Sequence, residues 1–439
     1  MGLTVDQVLS LAPDGAAADA GQGLAARDRW TAPGSSADAL WGECRGSALY
    51  KVRVALSDLA AKCSCPSRKH PCKHALGLLL LFAAQPDALP VAEPPPWVVE
   101  WLGARADAAA RKQERQSRQG DAVADPEAQA KRAEQRLDRV LAGLALLDRW
   151  LDDLIKEGLA SLEERPVGFV DGMAARLVDA QAPGFARQLR YIAQLVGAGP
   201  GWPERALEQL GLLALASRAF QRLDRLEPAL RADLRQLAGF TLEKPEVVAA
   251  GDLVDDDWFV LGQQVTEDER LRSQRSWLRG QRSKRLALVL QFAPGRASFP
   301  EPVAPGSTLE ATLAFWPSAM PQRALLHERR SVRAGLPEGA AFPSIDALFD
   351  DVAGKLAKQP WLERFGAVLG QVVPLAEAEG FRLRDQAGAA VPLAGEAHWK
   401  LLALSGGAPV DVCGEWNGRA FLPLAAIAGG EYHLLREEM

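Results

Sequence analysis

Residues able to carry redox or covalent chemistry are scarce in this chain. Five cysteines, five histidines, four methionines and three tyrosines are spread over 439 residues. Extracellular folds stapled by disulfides need many cysteines along their length, whereas three of these five crowd into one stretch, which fits a reducing compartment. No C-x-x-C redox pair, no Gly-rich phosphate loop and no paired-carboxylate signature is present. Apolar runs are short as well. The longest, Ala75 to Ala84, is half a membrane span. Residues 1–12 carry neither a basic region nor an apolar core, so no secretory leader is expected and the chain reads as cytoplasmic. A formal net charge of −5 argues against wholesale coating of nucleic acid and leaves room for a local basic patch. Hydrophobic content of 48% and charged content of 24% are those of a soluble globular protein, long enough for about two to four domains.

What the chain does have is a concentrated donor set. Cys63-Ser64-Cys65-Pro66-Ser67-Arg68-Lys69-His70-Pro71-Cys72-Lys73-His74 gives C-x-C, a six-residue spacer and C-x-H. Structural zinc takes four soft or borderline ligands in a closed tetrahedron, and three thiolates with one imidazole is such a set. Cys63 and Cys65, two apart, share a face where a strand ends. Cys72 and His74, also two apart, belong to the turn that enters the helix of Ala75–Phe82. A disulfide between near-adjacent cysteines is strained, and a catalytic Cys-His pair would leave two thiols unused. Zn2+ held by Cys63, Cys65, Cys72 and His74 is therefore the expected cofactor. His70 lies in the spacer and reads as a surface residue. Cys44 and Cys413 read as small core residues.

Ahead of the cluster, residues 39–44 and 48–56 read as two strands joined by Arg45-Gly46-Ser47. The order strand, strand, C-x-C, C-x-H, helix resembles the SWIM zinc-finger family, a ββα module, and Trp41-Gly42-Glu43-Cys44 together with Pro71-Cys72-Lys73-His74-Ala75-Leu76-Gly77-Leu78 resembles its bacterial branch. The resemblance covers roughly residues 1–103 and, more loosely, the whole length. It implies one zinc per finger and a module that binds proteins or DNA. It further implies, as partners, an AAA-type ATPase and a von Willebrand factor A-domain protein.

The rest of the chain separates by texture. Residues 1–103 are expected to form the finger domain, and Trp97–Leu102 an amphipathic turn able to fold back on it. Residues 104–125, rich in Ala, Gln and charge, read as a linker or a solvated helix. From Asp125-Pro126, Leu137, Val140, Leu141, Leu144, Leu147, Leu151 and Leu154 recur at helical spacing, and further helices follow between prolines, so 126–245 reads as a helical bundle. Residues 246–439 read as an α+β region with antiparallel sheet, with strands at 257–265, 285–292, 308–316, 381–384, 398–404, 410–416 and 421–424 and a helix at 344–357. Asn417-Gly418 is a hairpin turn. The expected fold class is α+β and multidomain: a small ββα finger, a central α-helical bundle and a C-terminal α+β region.

Two basic clusters bear on function. Arg270, Arg272, Arg275, Arg279, Arg282, Lys284 and Arg285 flank Trp277, a composition suited to a phosphate backbone and stacked bases. Acidic runs at 252–257 and 267–269 favour a solvated, ion-paired face instead. Around the finger, Lys73 and the spacer residues Arg68 and Lys69 partly offset the formal charge of the zinc–thiolate centre and are the candidate residues for contact with a partner or nucleic acid. The sequence thus points to a non-enzymatic, zinc-binding adaptor that binds protein. A DNA- or RNA-binding protein using the spacer and the 270–285 run is the alternative. No membrane association is expected.

Overall fold

The computed structural model describes residues 4–46, 48–67, 69–121, 126–165, 168–268, 271–295, 297, 299–336, 339, 341–378 and 380–435. The chain opens with helices α1 (Val5–Leu9) and α2 (Gly15–Gln22), then strands β1 (Trp30–Ser35), β2 (Ala39–Arg45), β3 (Leu49–Ala55) and β4 (Ala61–Cys63), then helix α3 (Lys73–Ala84). Thr4 and Gln7 close a capping box on α1, and Asp14 caps α2. The strands form one antiparallel sheet in the order β1-β2-β3-β4. Helix α3 is buried from His74 to Leu81, apolar on every side as a central core helix must be. It reaches α2 closely, because a Cβ on Gly77 would fall 2.7 Å from that of Leu24 and one on Gly21 would fall 2.8 Å from that of Leu76. The two expected strands are thus the centre of a four-stranded sheet. Its outer members were hidden by shortness (β4) and by Pro33 and Gly34 in β1.

Helix α4 (Pro96–Asp121) begins by strapping this unit. Val98 packs with Ala39 and Trp41, and the Arg53 guanidinium lies 5.3 Å from the Trp97 ring and 5.7 Å from that of Trp101. The fold-back of Trp97–Leu102 is what the structure shows, and residues 104–121 continue the same helix.

Helices α5 (Pro126–Glu157), α6 (Ser161–Glu164), α7 (Gly168–Asp179), α8 (Pro183–Leu195), α9 (Trp202–Phe220) and α10 (Pro228–Ala238) form the bundle. Val140, Leu144, Leu147, Leu151 and Leu154 of α5 lie on one stripe and meet Leu177, Phe185, Leu189, Leu213, Phe220 and Leu234. The bundle has a core of its own.

Helix α11 (Lys244–Ala250) leads into β5 (Leu253–Asp268), β6 (Leu271–Gly280), β7 (Leu286–Pro294), β8 (Ser307–Phe315) and β9 (Arg323–Ala334), which close into a barrel in the order β5-β6-β7-β9-β8. Closure was not legible from the sequence because β6 and β9 are arginine-rich and the barrel interior is partly polar. Gln263 Nε2 donates to Ser276 Oγ at 3.0 Å and to the Val303 carbonyl at 2.8 Å inside it. The apolar interior, including Trp258, Val260, Leu278 and Leu313, is continuous with the core around α3, so the finger and the barrel share one hydrophobic body. Gln7 donates to the Gly306 carbonyl, and Arg329 to those of Pro302 and Asp58, across this junction.

The last unit holds α12 (Ile345–Leu356), β10 (Phe365–Glu377), β11 (Gly380–Arg384), β12 (Ala390–Pro392), α13 (His398–Ser405), β13 (Val410–Trp416), β14 (Phe421–Ala428) and β15 (Glu431–Leu434). Its antiparallel sheet runs β12-β11-β10-β13-β14-β15. Val368, Cys413 and Leu424 pack on Phe259, Leu261 and Trp277 of the barrel. At this seam Glu415 is 1% exposed and accepts from Trp277 Nε1 at 2.9 Å, Arg364 Nη1 at 2.6 Å and Arg275 Nε at 3.3 Å. Residues 398–404, expected as a strand, are helix α13. Leu401 and Ser405, one turn apart, are the buried positions, Trp399 is 70% exposed, and Lys-Leu-Leu-Ala carries no β-branched residue to favour a strand. Asn417 organises the β13–β14 turn, its Oδ1 accepting from the backbone of Arg419 and Ala420, with Gly418 at φ 89°. The chain is an α+β protein of finger, bundle and C-terminal sheets.

Asp256 locks the β6–β7 hairpin. It is fully buried and accepts from the backbone N–H groups of Ser283 and Asp257 at 2.7 Å and of Arg282 at 3.0 Å. Burial pushes its carboxyl up, but the hydrogen bonds from Ser283, Arg282 and Asp257 outweigh it and hold the group below the usual aspartate range. A depressed carboxyl stabilises above its unfolded pKa and loses that contribution as pH falls through the folded one. Asp256→Asn should therefore cost about 1.5–3 kcal/mol at neutral pH. The gap to the unaltered protein should close as pH falls below about 4. Denaturant melts across pH check this; a gap independent of pH would contradict it.

Candidate metal centre

The donors are brought together by two element ends. Strand β4 stops at Cys63, which pairs in register with Val52 of β3, and Cys65 follows at the strand's mouth. Cys72 is the N-cap of α3, extended at φ −77° and ψ 166°, and His74 is the second helical residue, 4% exposed. The expected entry turn is thus realised with Cys72 just outside the helix and His74 in its first turn. The four ligand atoms lie within 4.8 Å of one another, and Cys63 Sγ is 3.7 Å from His74 Nδ1. A tetrahedral ion with Zn–S of about 2.3 Å and Zn–N of about 2.0 Å has edges of about 3.5–3.8 Å, so the set fits zinc in chemistry and its Cys63–His74 edge has that length. Among the described residues it is the one grouping of three or more His, Cys, Asp and Glu donors able to hold a metal ion.

Electrostatics match a cation at this point. The hydrogen bond to Cys72, then burial, pushes the Cys63 thiol up. That same hydrogen bond, joined by those of His74 and the Ala75 N–H, outweighs burial and pushes the Cys72 thiol down. Packed thiols of this kind share protons because their negative charges cannot coexist unaided, and a divalent ion replaces those protons. The start of α3 adds the positive end of a helix dipole. The Tyr50 ring packs on the His74 imidazole with centroids 4.7 Å apart and walls one side of the site.

Beside the ligands lies a cleft of about 440 Å³ between α2, the β2–β3 hairpin and the spacer. Ala16, Ala17 and Ala20 of α2 form one wall, Tyr50, Cys65 and His74 another, and Lys69 and Lys73 stand at its edge. Lys69 is half-exposed and paired with Asp14 at 2.6 Å, and Lys73 is exposed. Arg68 lies outside the described residues. The α2 wall was missed from the sequence because an alanine-rich helix has little amphipathic contrast; Asp14, an N-cap ahead of the alanines, was the available signal. Cys44 and Cys413 are buried core residues. Much of the 270–285 run is engaged within the fold: Arg275 pairs with Glu415, Arg282 with Asp255 and Asp256, and Arg285 with Asp252, while Arg270 lies outside the described residues.

A β-hairpin, a C-x-C at a strand end and a C-x-H at a helix start, all facing one point, define a Cys3His zinc finger. Residues 50–82 match the SWIM zinc finger, and residues 135–238 match the SWIM-associated four-helix bundle domain. The chain carries both, the second covering α5 from residue 135 through α10. No curated protein and no solved structure matches it.

Purified protein should hold about one zinc per chain. Cys65→Ala or His74→Ala should lower the content well below half, while Cys44→Ala should leave it unchanged. Elemental analysis decides, and full occupancy in the first two variants would refute the ligand set.

Proposed function

We propose that this chain is a non-enzymatic adaptor whose zinc finger presents a recognition surface to a protein partner in the cytoplasm. The observation that carries this reading is the four-donor set beside an accessible cleft. With four protein ligands the tetrahedron is complete and no position is left for a substrate, which suits an ion that shapes its surroundings. What the site shapes is the spacer with Lys69 and the start of α3 with Lys73, next to a wall of small alanines into which an extended segment could settle. Lysines at the edge favour an acidic partner surface. The resemblance supports an AAA-type ATPase or a von Willebrand factor A-domain protein in that place. The nucleic-acid reading is weakened by the ion pairs that occupy much of the 270–285 run. No helix among the described residues is long and apolar enough to cross a membrane.

The test is direct binding of the zinc-loaded chain to the purified ATPase and the A-domain protein from the same cell, with generic duplex DNA as a second arm. Lys69→Glu combined with Lys73→Glu should keep zinc and weaken the protein complex by about tenfold or more, since each exposed charge pair contributes up to about 1 kcal/mol. Unchanged affinity for the protein would overturn the surface. Salt-dependent DNA binding lost in the same variant, with no protein bound, would favour the alternative.

A further inference from the structure

A second cleft, of about 500 Å³, opens where the barrel meets the C-terminal unit. Its walls come from three places: the β6–β7 hairpin with Arg279, Lys284 and Arg285, the approach to β9 with Gln322, and the C-terminal unit with Asp351 and Lys355 of α12. Ligand sites favour such junctions between units. Four cations face two carboxylates there, and both carboxylates are already engaged: Asp252 pairs with Arg285 at 3.4 Å, and Asp351 pairs with Lys355. Arg285 is further fixed by the Phe315 ring, 4.0 Å from its guanidinium carbon. Positive charge is left over in a concave site.

Arg279 is the informative residue. On β6, Arg275, Trp277 and Arg279 alternate onto the outer face of the barrel. The first two converge on Glu415, whereas Arg279, two residues further on, reaches the cleft. Its Nε–H is buried and has no hydrogen-bond partner among the described residues. Burial lowers its pKa, and the charge it feels from Asp351 only partly offsets that. A desolvated guanidinium without a fitted acceptor is costly for a purely structural part to keep. Gln322 is the second loose end. Its Nε2 donates to the Arg364 carbonyl at 3.5 Å, and its Oε1 is buried with no hydrogen-bond partner among the described residues. Among the described residues the cleft therefore lacks a fitted acceptor for the Arg279 Nε–H and a donor for Gln322 Oε1.

We propose that this cleft binds the phosphoryl group of a small hydroxyl-bearing phosphate, with Arg279 and Lys284 holding the oxyanion and Gln322 accepting from the hydroxyl. A planar guanidinium fork matches phosphate oxygens, and a simple carboxylate would leave Gln322 Oε1 unsatisfied. The site lies apart from the zinc finger and does not depend on the adaptor reading.

Calorimetric titration of the full zinc-loaded chain with glycerol 3-phosphate, inorganic phosphate and malonate tests it. Saturable binding of glycerol 3-phosphate is expected, with inorganic phosphate weaker and malonate weaker still. Arg279→Gln should weaken glycerol 3-phosphate at least tenfold and Lys284→Gln severalfold, while Arg333→Gln, which does not line the cleft, should match the unaltered chain. Arg279→Gln should also leave the melting temperature unchanged or raised without ligand, whereas a structural arginine would lower it. No saturable binding, equal loss in the Arg333 control, or malonate binding as tightly as the phosphates would overturn the assignment.

Discussion

The fold depends on one cross-link: four side chains converging on a single ion between the end of β4 and the start of α3. Neither element is stable by local means. β4 is three residues long. Cys72 is the N-cap of α3, and its sulfur faces the other donors. Without a cation, the packed Cys63 and Cys72 thiols must share protons, and α3 is held against the sheet by its apolar packing alone. With one, the ion joins the last strand to the helix that forms the centre of the core, and its binding free energy counts as folding free energy.

That helix gives the constraint its reach. Leu76 and Leu78 to Leu81 belong to the same apolar body as Trp258, Leu278 and Leu313 of the barrel, so the metal site helps to position elements far along the chain. Glu415 then ties the barrel to the C-terminal sheet through Trp277, Arg275 and Arg364. The bundle has a core separate from that of the finger and barrel and meets the rest through Trp361, whose Nε1 donates to the Leu212 carbonyl at 3.0 Å, and through Asp233, which accepts from the Ala319 N–H at 2.8 Å. One accessible cleft is framed by the zinc ligands, and another lies at the barrel seam. They differ in character: the first has small alanines and two exposed lysines, the second buried, unsatisfied polar groups.

Legibility followed the physics of each element. The zinc ligands could be read because coordination chemistry fixes residue type and spacing together. The bundle could be read because Leu and Val recur every three or four residues along a single stripe. The barrel could not, since closure is a long-range pairing and its strands place Gln263, Gln274 and Ser276 inward, where alternation would call for apolar side chains. Helix α13 was misread because a short apolar run does not separate strand from helix, and the deciding fact, burial of Leu401 and Ser405 one turn apart, is tertiary. The arginines of β6 suggested a surface for nucleic acid. Across 270–285, pairing with acids absorbs Arg275, Arg282 and Arg285, while Arg279 faces the cleft at the barrel seam.

The central claim, that the ion supports α3 and through it the barrel, is tested most directly by hydrogen exchange on zinc-loaded and chelator-stripped protein. The account predicts that stripping deprotects β3, β4 and α3 and, to a lesser degree, the barrel strands that share their core, with α5, α7 and α8 as protected as before. Protection of α3 unchanged by zinc removal, or a uniform loss that includes the bundle, would contradict it.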